Sequence, residues 1–214
     1  MRSPSSGGPA TAALPEGVAL HDGLLDREAQ ERLLAAIRAV VAEAPLYRPE
    51  MPRTGKPFSV RMTNCGALGW VSDRNGYRYQ ATHPVTARPW PPIPAMLLDL
   101  WQQLAGYPHP PEACLINYYD GEARMGLHRD EDEAERAAPV LSVSLGDDCR
   151  FRIGGTERGG PTRSVRLASG DVLLFGGPSR LAYHGVDRVY PGTSTLLERG
   201  GRINLTLRRV TRPG

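Results

Sequence analysis

A mainly β fold of the α+β class, with helices placed ahead of an antiparallel jelly roll or sandwich, is what this 214-residue sequence predicts. Two observations carry that expectation. From Ala113 to Val210 the apolar residues recur with a period of two, in seven or eight short runs punctuated by Gly, Pro and Ser. Helical periodicity is confined to two earlier stretches, so no crossover helix separates the later strands as a parallel sheet would need.

In chain order, residues 1–17 read as a disordered lead-in, and nothing catalytic is expected before Val18. Residues 18–214 then form one domain, long enough to bury a core. Asp26 opens a helix whose Leu33, Leu34, Ile37, Val40 and Val41 share a face, and Pro45 closes it. A second helix starts near Pro94, carries Met96, Leu97, Leu100, Trp101 and Leu104, and stops at Gly106. Between them, residues 47–92 have poor apolar periodicity, frequent Gly and Pro, and aromatics set among arginines. That composition suggests short strands and loops lying over something rather than core. Trp70, Tyr77, Tyr79 and Trp90 are either packing residues or, with Arg61, Arg74 and Arg78, a surface that stacks bases and contacts phosphates.

The strands follow. Ala113–Tyr119 is apolar and β-prone, and Val140–Leu145 alternates strictly, with Ser142 and Ser144 on its polar face. Phe151–Ile153 and Ser164–Leu167 flank the loop G-G-T-E-R-G-G-P as a hairpin, and Asp171–Phe175, Leu181–Val186 and Arg202–Val210 complete the set.

Composition narrows the setting. The N-terminus lacks a signal-peptide core and no apolar run could span a membrane, so a cytoplasmic protein is expected. The three cysteines, Cys65, Cys114 and Cys149, are too few and too scattered for a disulfide framework or a Cys-rich zinc site, and they fit a reducing compartment. A net charge of +3, with Lys56 the sole non-arginine among 26 basic residues, admits an anionic partner without requiring one. A monomer is the default.

The chemistry centres on Asn117–Asp132. His128 and Asp130 stand two apart, so an extended strand would aim both at one point. Together they supply two thirds of a 2-His-1-carboxylate set for Fe(II), which leaves coordination positions open. His184 is the candidate third ligand, since His21, His83 and His109 lie in the lead-in region or in Pro-flanked loops. The last strand, R-I-N-L-T-L-R, places Arg202, Asn204, Thr206 and Arg208 on one face. Either that is the exposed face of an edge strand, or it looks into a barrel interior, where the guanidinium groups would need an anion such as a dicarboxylate. Arg202 and Arg208 lie about 20 Å apart along a strand, so they would hold opposite ends of a short diacid. Asn117 and Tyr119 share a face and could point into the same cavity.

These residues and a set of ordered motifs resemble the AlkB family of iron(II)- and 2-oxoglutarate-dependent dioxygenases over roughly Val18 to Val210. The motifs are T-N-C-G-x-L-G-W, G-Y-x-Y, P-W-P, L-I-N-x-Y, L-H-x-D-x-D-E, S-V-S-L-G, G-D-V, S-R-L-x-Y-H-G and R-x-N-L-T-x-R. The resemblance implies a double-stranded β-helix core over 113–210 and a nucleotide-recognition lid over 47–92. It implies iron on His128, Asp130 and His184, and 2-oxoglutarate on Asn117, Tyr119, Arg202, Asn204 and Arg208. Substrate would be held by Trp70 stacking on the base, Tyr77 at the phosphate beside it, Asp132 at the exocyclic amine and Arg158 in the Gly-rich hairpin, and the aromatic and arginine composition of the segment adds Tyr79 to these contacts. The implied reaction consumes O₂ and 2-oxoglutarate and hydroxylates the methyl group of 1-methyladenine or 3-methylcytosine, with release of formaldehyde and succinate. The implied substrate is single-stranded or flipped-base DNA, with RNA as a further candidate. The alternative is a hydroxylase of the same fold acting on protein or modified RNA. Two positions depart from the family pattern: Phe175 stands where tryptophan is common, and Asp73 where histidine is expected.

Overall fold

The computed structural model describes residues 14–214, so the first thirteen residues of the expected lead-in lie outside the described residues. The chain runs β1 (Val18–His21), α1 (Arg27–Glu43), β2 (Arg61–Gly66), β3 (Gly69–Asp73), β4 (Gly76–Gln80), α2 (Ala95–Leu104), β5 (Ala113–Tyr119), β6 (Val140–Gly146), β7 (Cys149–Gly154), β8 (Thr162–Leu167), β9 (Val172–Phe175), β10 (His184–Val189) and β11 (Arg202–Arg208). A major sheet has the order β1-β9-β6-β11-β5-β2 and a minor sheet the order β10-β7-β8, while β3 and β4 pair only with each other. Every pairing is antiparallel. Among the described residues no helix is long and apolar enough to cross a membrane.

Alternation along the strands sorts the molecule into layers. Leu141, Val143, Leu145, Leu205 and Leu207 point to one face of the major sheet and pack with Leu33, Leu34 and Ile37 of α1 and Leu97, Leu100 and Trp101 of α2. Burial of each such side chain contributes about 1.5–3 kcal/mol. Asp26 caps α1 by accepting the Ala29 amide hydrogen at 2.8 Å. The opposite face meets the minor sheet through Leu115, Val140, Phe151, Ile153, Leu173 and Val186. This gap between the sheets holds the site.

The structure revises four expectations. The strand β11 is no edge strand, because it lies between β5 and β6 with partners on both sides, and its polar face looks into the gap between the two sheets, where Arg202, Thr206 and Arg208 are buried. His128 and Asp130 do not lie on a named strand: His128 makes only an isolated bridge to His184, and Asp130 sits in the loop beyond. The strand expected over 181–186 begins at His184, after a 3₁₀ turn at Gly177–Ser179. Finally, the 47–92 segment divides. Arg61–Gly66 extends the major sheet beside β5, with Met62, Thr63, Asn64 and Cys65 buried, and only the β3–β4 hairpin stands apart. Covering a strand on both faces removes the alternation by which it would be recognised.

Candidate active site

His128 and His184 are brought together by reciprocal backbone hydrogen bonds of 2.9 and 2.8 Å, a pairing that needs the two chains to pass closely. Gly185 allows it, since a Cβ there would meet the Met125 carbonyl oxygen at 2.6 Å. The His128 Nδ1 lies 3.0 Å from the Gly126 carbonyl and the His184 Nδ1 2.9 Å from the Ala182 carbonyl. A carbonyl only accepts, so each Nδ1 carries the hydrogen and each Nε2 presents its lone pair. Those Nε2 atoms lie 3.7 and 3.8 Å from the two oxygens of Asp130, and the ligand atoms of the three residues all fall within 4.8 Å of one another.

Charge suits a cation here. Burial, the largest influence, and the neighbouring His128 push His184 down to about 4, so it is a neutral ligand at pH 7. Burial works against ionisation of Asp130, but Arg208, His184, His128 and Arg180 outweigh it and hold the carboxyl well below the usual range. Asp130 Oδ2 is buried and lacks an aligned hydrogen-bond donor among the described residues, although Arg208 Nη2 makes an ion-pair contact at 2.8 Å. Two imidazoles that turn their Nε2 atoms to one carboxylate fit Fe(II).

The 2-oxoglutarate candidates line the same cavity, whose volume is about 370 Å³. Arg202 is fully buried, with Nη2 donating to Ser144 Oγ at 2.7 Å and Nη1 to the Asp147 carbonyl at 3.4 Å. Its Nε has no partner, and among the described residues no carboxylate makes an ion pair with it. A buried guanidinium without a counter-anion costs several kcal/mol, which an anionic ligand would offset. Asn117 adds an unpartnered buried Oδ1. Asn204 is oriented by Ser142 and Thr206, whose hydroxyl oxygens lie 2.7 and 2.9 Å from its amide. Burial pushes the Tyr119 phenol well above its usual range, so it stays a donor. The donors thus extend along one polar stripe, with Arg208 near the metal ligands and Arg202 at the far end, as a diacid requires.

The hairpin supplies the mouth. Asn64 clasps it through two hydrogen bonds of 3.0 Å to the backbone of Trp70. Trp70 stacks on Tyr77 with ring centroids 5.5 Å apart and meets Phe58 edge-on at 6.3 Å. Its indole nitrogen donates to Asp132 Oδ2 at 2.7 Å. Burial raises the Asp132 pKa, while the Trp70 hydrogen bond opposes that. Arg158, exposed in the β7–β8 loop, also lines the cavity. Tyr79 does not: its hydroxyl donates to Glu133 and accepts from Arg208 Nη1 at 3.2 Å. Register places Tyr79 on the same face of the hairpin as Trp70 and Tyr77, and what separates it from them is its hydroxyl, which is drawn to Glu133 and Arg208. Of the departures from the family pattern, Phe175 packs against His184 at 4.7 Å and lines the cavity. Asp73 is bound to Arg78 at 2.8 Å and serves the hairpin turn.

Two residues carry weight that sequence reasoning missed. Glu133 and Arg180 are 2% and 3% exposed and form an ion pair of 3.1 Å beneath the metal ligands. Both stood inside quoted motifs, yet a charged side chain in a loop carries no local sign that it will be buried.

Comparison with known proteins agrees with this geometry. Residues 17–208 match the family model described as the 2OG-Fe(II) oxygenase superfamily. The "Alpha-ketoglutarate-dependent dioxygenase AlkB homolog" of Caulobacter vibrioides is 57% identical over 190 residues, covering 88% of this chain and 85% of that protein. The "Alpha-ketoglutarate-dependent dioxygenase AlkB" of Escherichia coli is 42% identical over 186 residues, covering 85% of each. The solved structure of OsALKBH1 superposes with a TM-score of 0.78 at 30% identity, covering 92% of this chain and 98% of that one. With a His-Asp-His cluster beside a buried arginine that has no carboxylate partner among the described residues, the chain belongs to the 2OG-Fe(II) oxygenase superfamily, as an AlkB-type Fe(II)- and 2-oxoglutarate-dependent dioxygenase.

Proposed function

We propose that this chain oxidatively demethylates alkylated bases of the 1-methyladenine and 3-methylcytosine type in DNA, as direct-reversal repair. One observation carries the reading: the Trp70–Tyr77 stack and Asp132 stand at the mouth of the cavity that also holds His128, Asp130 and His184. Bound Fe(II), with 2-oxoglutarate and O₂, supplies the oxidation of a methyl C–H bond, coupled to decarboxylation of the diacid to succinate.

The protein's part is to bind, orient and exclude. The two Nε2 atoms and Asp130 hold the metal, and Arg202, Arg208, Asn117, Tyr119 and Asn204 hold the diacid. Trp70 offers its face to a flat base, and a methylated base of this type is cationic, so stacking and the Asp132 carboxylate both favour it. Exposed Tyr77 and Arg158 meet the phosphates outside the cavity. Asp130 and His184 are buried within the cavity, where a stacked, paired base cannot bring its methyl group, so the target is single-stranded or flipped out. Hydroxylation leaves an N-hydroxymethyl base that collapses to formaldehyde and the repaired base. Stacking and phosphate contacts leave the sugar unread, so RNA is a second substrate. Three free, buried cysteines suit a reducing cytoplasm, and a monomer is the working state.

The test combines the purified chain with Fe(II), ascorbate, 2-oxoglutarate and a single-stranded oligonucleotide bearing one 1-methyladenine. Mass spectrometry should show loss of the methyl group only when both metal and diacid are present. Succinate without demethylation would overturn the substrate and point to protein or modified RNA.

A further inference from the structure

The buried carboxylate of Glu133 binds neither metal nor diacid in the reading above, yet the lid hairpin, the metal loop and the last strand meet at it. Its Oε1 accepts from the Tyr79 hydroxyl on β4, and its Oε2 from Arg180 Nη2 at 3.1 Å. The Tyr79 oxygen in turn accepts from Arg208 Nη1 at 3.2 Å, and Arg208 Nε lies 3.6 Å from Glu133 Oε1. Arg180 spends its other nitrogens on the carbonyls of Asp130 at 2.8 Å and Ala138 at 2.9 Å. Two anions and two cations are thus closed into one buried set, with a phenol as the link to the hairpin.

The set is not fully satisfied. Arg208 Nε is buried without a hydrogen-bond partner, since 3.6 Å is too long for one. Arg208 Nη2 also rests on Oδ2 of the metal-ligating Asp130 carboxylate, at 2.8 Å. A cation on Asp130 weakens that contact and leaves Glu133 as the other carboxylate against Arg208. Any reorientation of Arg208 is then felt at the Tyr79 hydroxyl. Tyr79 is the cross-strand partner of Trp70 and lies two residues from Tyr77, so it is felt at the base-stacking pair as well.

We propose that Glu133 and Tyr79 are positioning residues that couple the diacid held by Arg208 to the β3–β4 hairpin, so that cosubstrate and nucleic acid each tighten the binding of the other. This rests on the reading of Arg208 as a cosubstrate contact. Coupling between two binding sites is reciprocal, so each ligand must tighten the other by the same factor.

The test uses the full chain loaded with Fe(II) without oxygen. 2-Oxoglutarate is titrated by calorimetry with and without a single-stranded 1-methyladenine oligonucleotide, and hydrogen exchange is followed across Gly69–Gln80. In the parent chain the oligonucleotide should tighten 2-oxoglutarate, and 2-oxoglutarate should slow exchange in the hairpin. Tyr79→Phe keeps the ring and removes the link. It should weaken 2-oxoglutarate by about tenfold, the scale of one hydrogen bond to a charged group, and abolish both cross-effects. Glu133→Gln should do the same, and if it fails to fold, Tyr79→Phe alone decides. A simple structural role would lower thermal stability in these variants and leave the cross-effects intact, which would overturn the coupling. A parent chain that binds no 2-oxoglutarate would overturn the cosubstrate reading together with it.

Discussion

The inner wall of the cavity and the hairpin that covers its mouth are built in opposite ways. On the wall, Arg202, Ser144 and Asn117 are buried and lie on strands with neighbours on both sides, and Arg202 is bonded to Ser144 on the adjacent strand. On the hairpin, Tyr77 is 53% exposed, and the two strands pair with nothing but each other. A two-stranded ribbon is marginal alone, so its position depends on the Asn64 clasp and the Tyr79 contact. The difference assigns chemistry to the part that cannot move and recognition to the part that can. Rigid preorganisation suits ligands placed for oxidation, whereas a cover that must admit a polymer needs low local stability.

Four changes break or sharpen that contrast, taken from the largest expected effect. His128→Ala or His184→Ala strikes the wall at the metal. Turnover should fall by more than about 100-fold, beyond the loss typical of outer partners of a metal site, with bound iron reduced in parallel. Retained demethylation with a full complement of iron would remove that histidine from the metal site. Arg202→Met should be tolerated by the cofactor-free fold, because it replaces a buried cation that lacks an anion with an apolar chain. The stabilisation that 2-oxoglutarate brings, about 2.7 kcal/mol at one hundred times its dissociation constant, should vanish in a thermal shift assay. A preserved shift would place the diacid elsewhere.

Trp70→Ala tests the hairpin. Affinity for the methylated oligonucleotide should drop about tenfold or more, the value of one base–aromatic stack, while bound iron stays the same. Iron lost together with affinity would mean that the hairpin supports the metal site as well. The smallest expected effect lies far from both regions: Asp26→Ala should cost about 1 kcal/mol in chemical denaturation and leave turnover alone.

Acidity sharpens the wall further. The folded chain holds His184 near 4 from an ordinary 6.5, chiefly by burial, so between those values the unfolded chain binds a proton that the folded chain refuses. Stability of the chelated protein is therefore complete above about pH 6.5 and is lost as pH falls toward 4. Denaturation of the metal-free chain across that window checks the sign, and a flat profile would mean that His184 is not shielded.

Legibility in the sequence followed the same division. The polar face of β11 was visible as alternation, because side-chain direction in a strand has a period that needs no knowledge of the partner strand, whereas His128 and Asp130 were visible as residue types and converge from a loop beyond an isolated bridge. Whether that face looked out or in was not visible, since only the minor sheet and the hairpin packed over it decide that. β2 was hidden for a related reason: buried on both faces, it shows no alternation and was read together with the cover. Tyr79 was placed with the substrate contacts on composition, and the hairpin's attachment turned its hydroxyl to Glu133 instead.

By itself the sequence determined the donors: two imidazoles and a carboxylate by residue type, and two amides, a phenol and two guanidinium groups on predictable strand faces, because residue type and period are local properties. Only the tertiary structure decided that Glu133 and Arg180 are buried, that Arg202 is left without an anion, and that the lid is tied to the cosubstrate strand through one phenol. Burial and charge balance are properties of what surrounds a side chain, and the surroundings come from residues far along the chain.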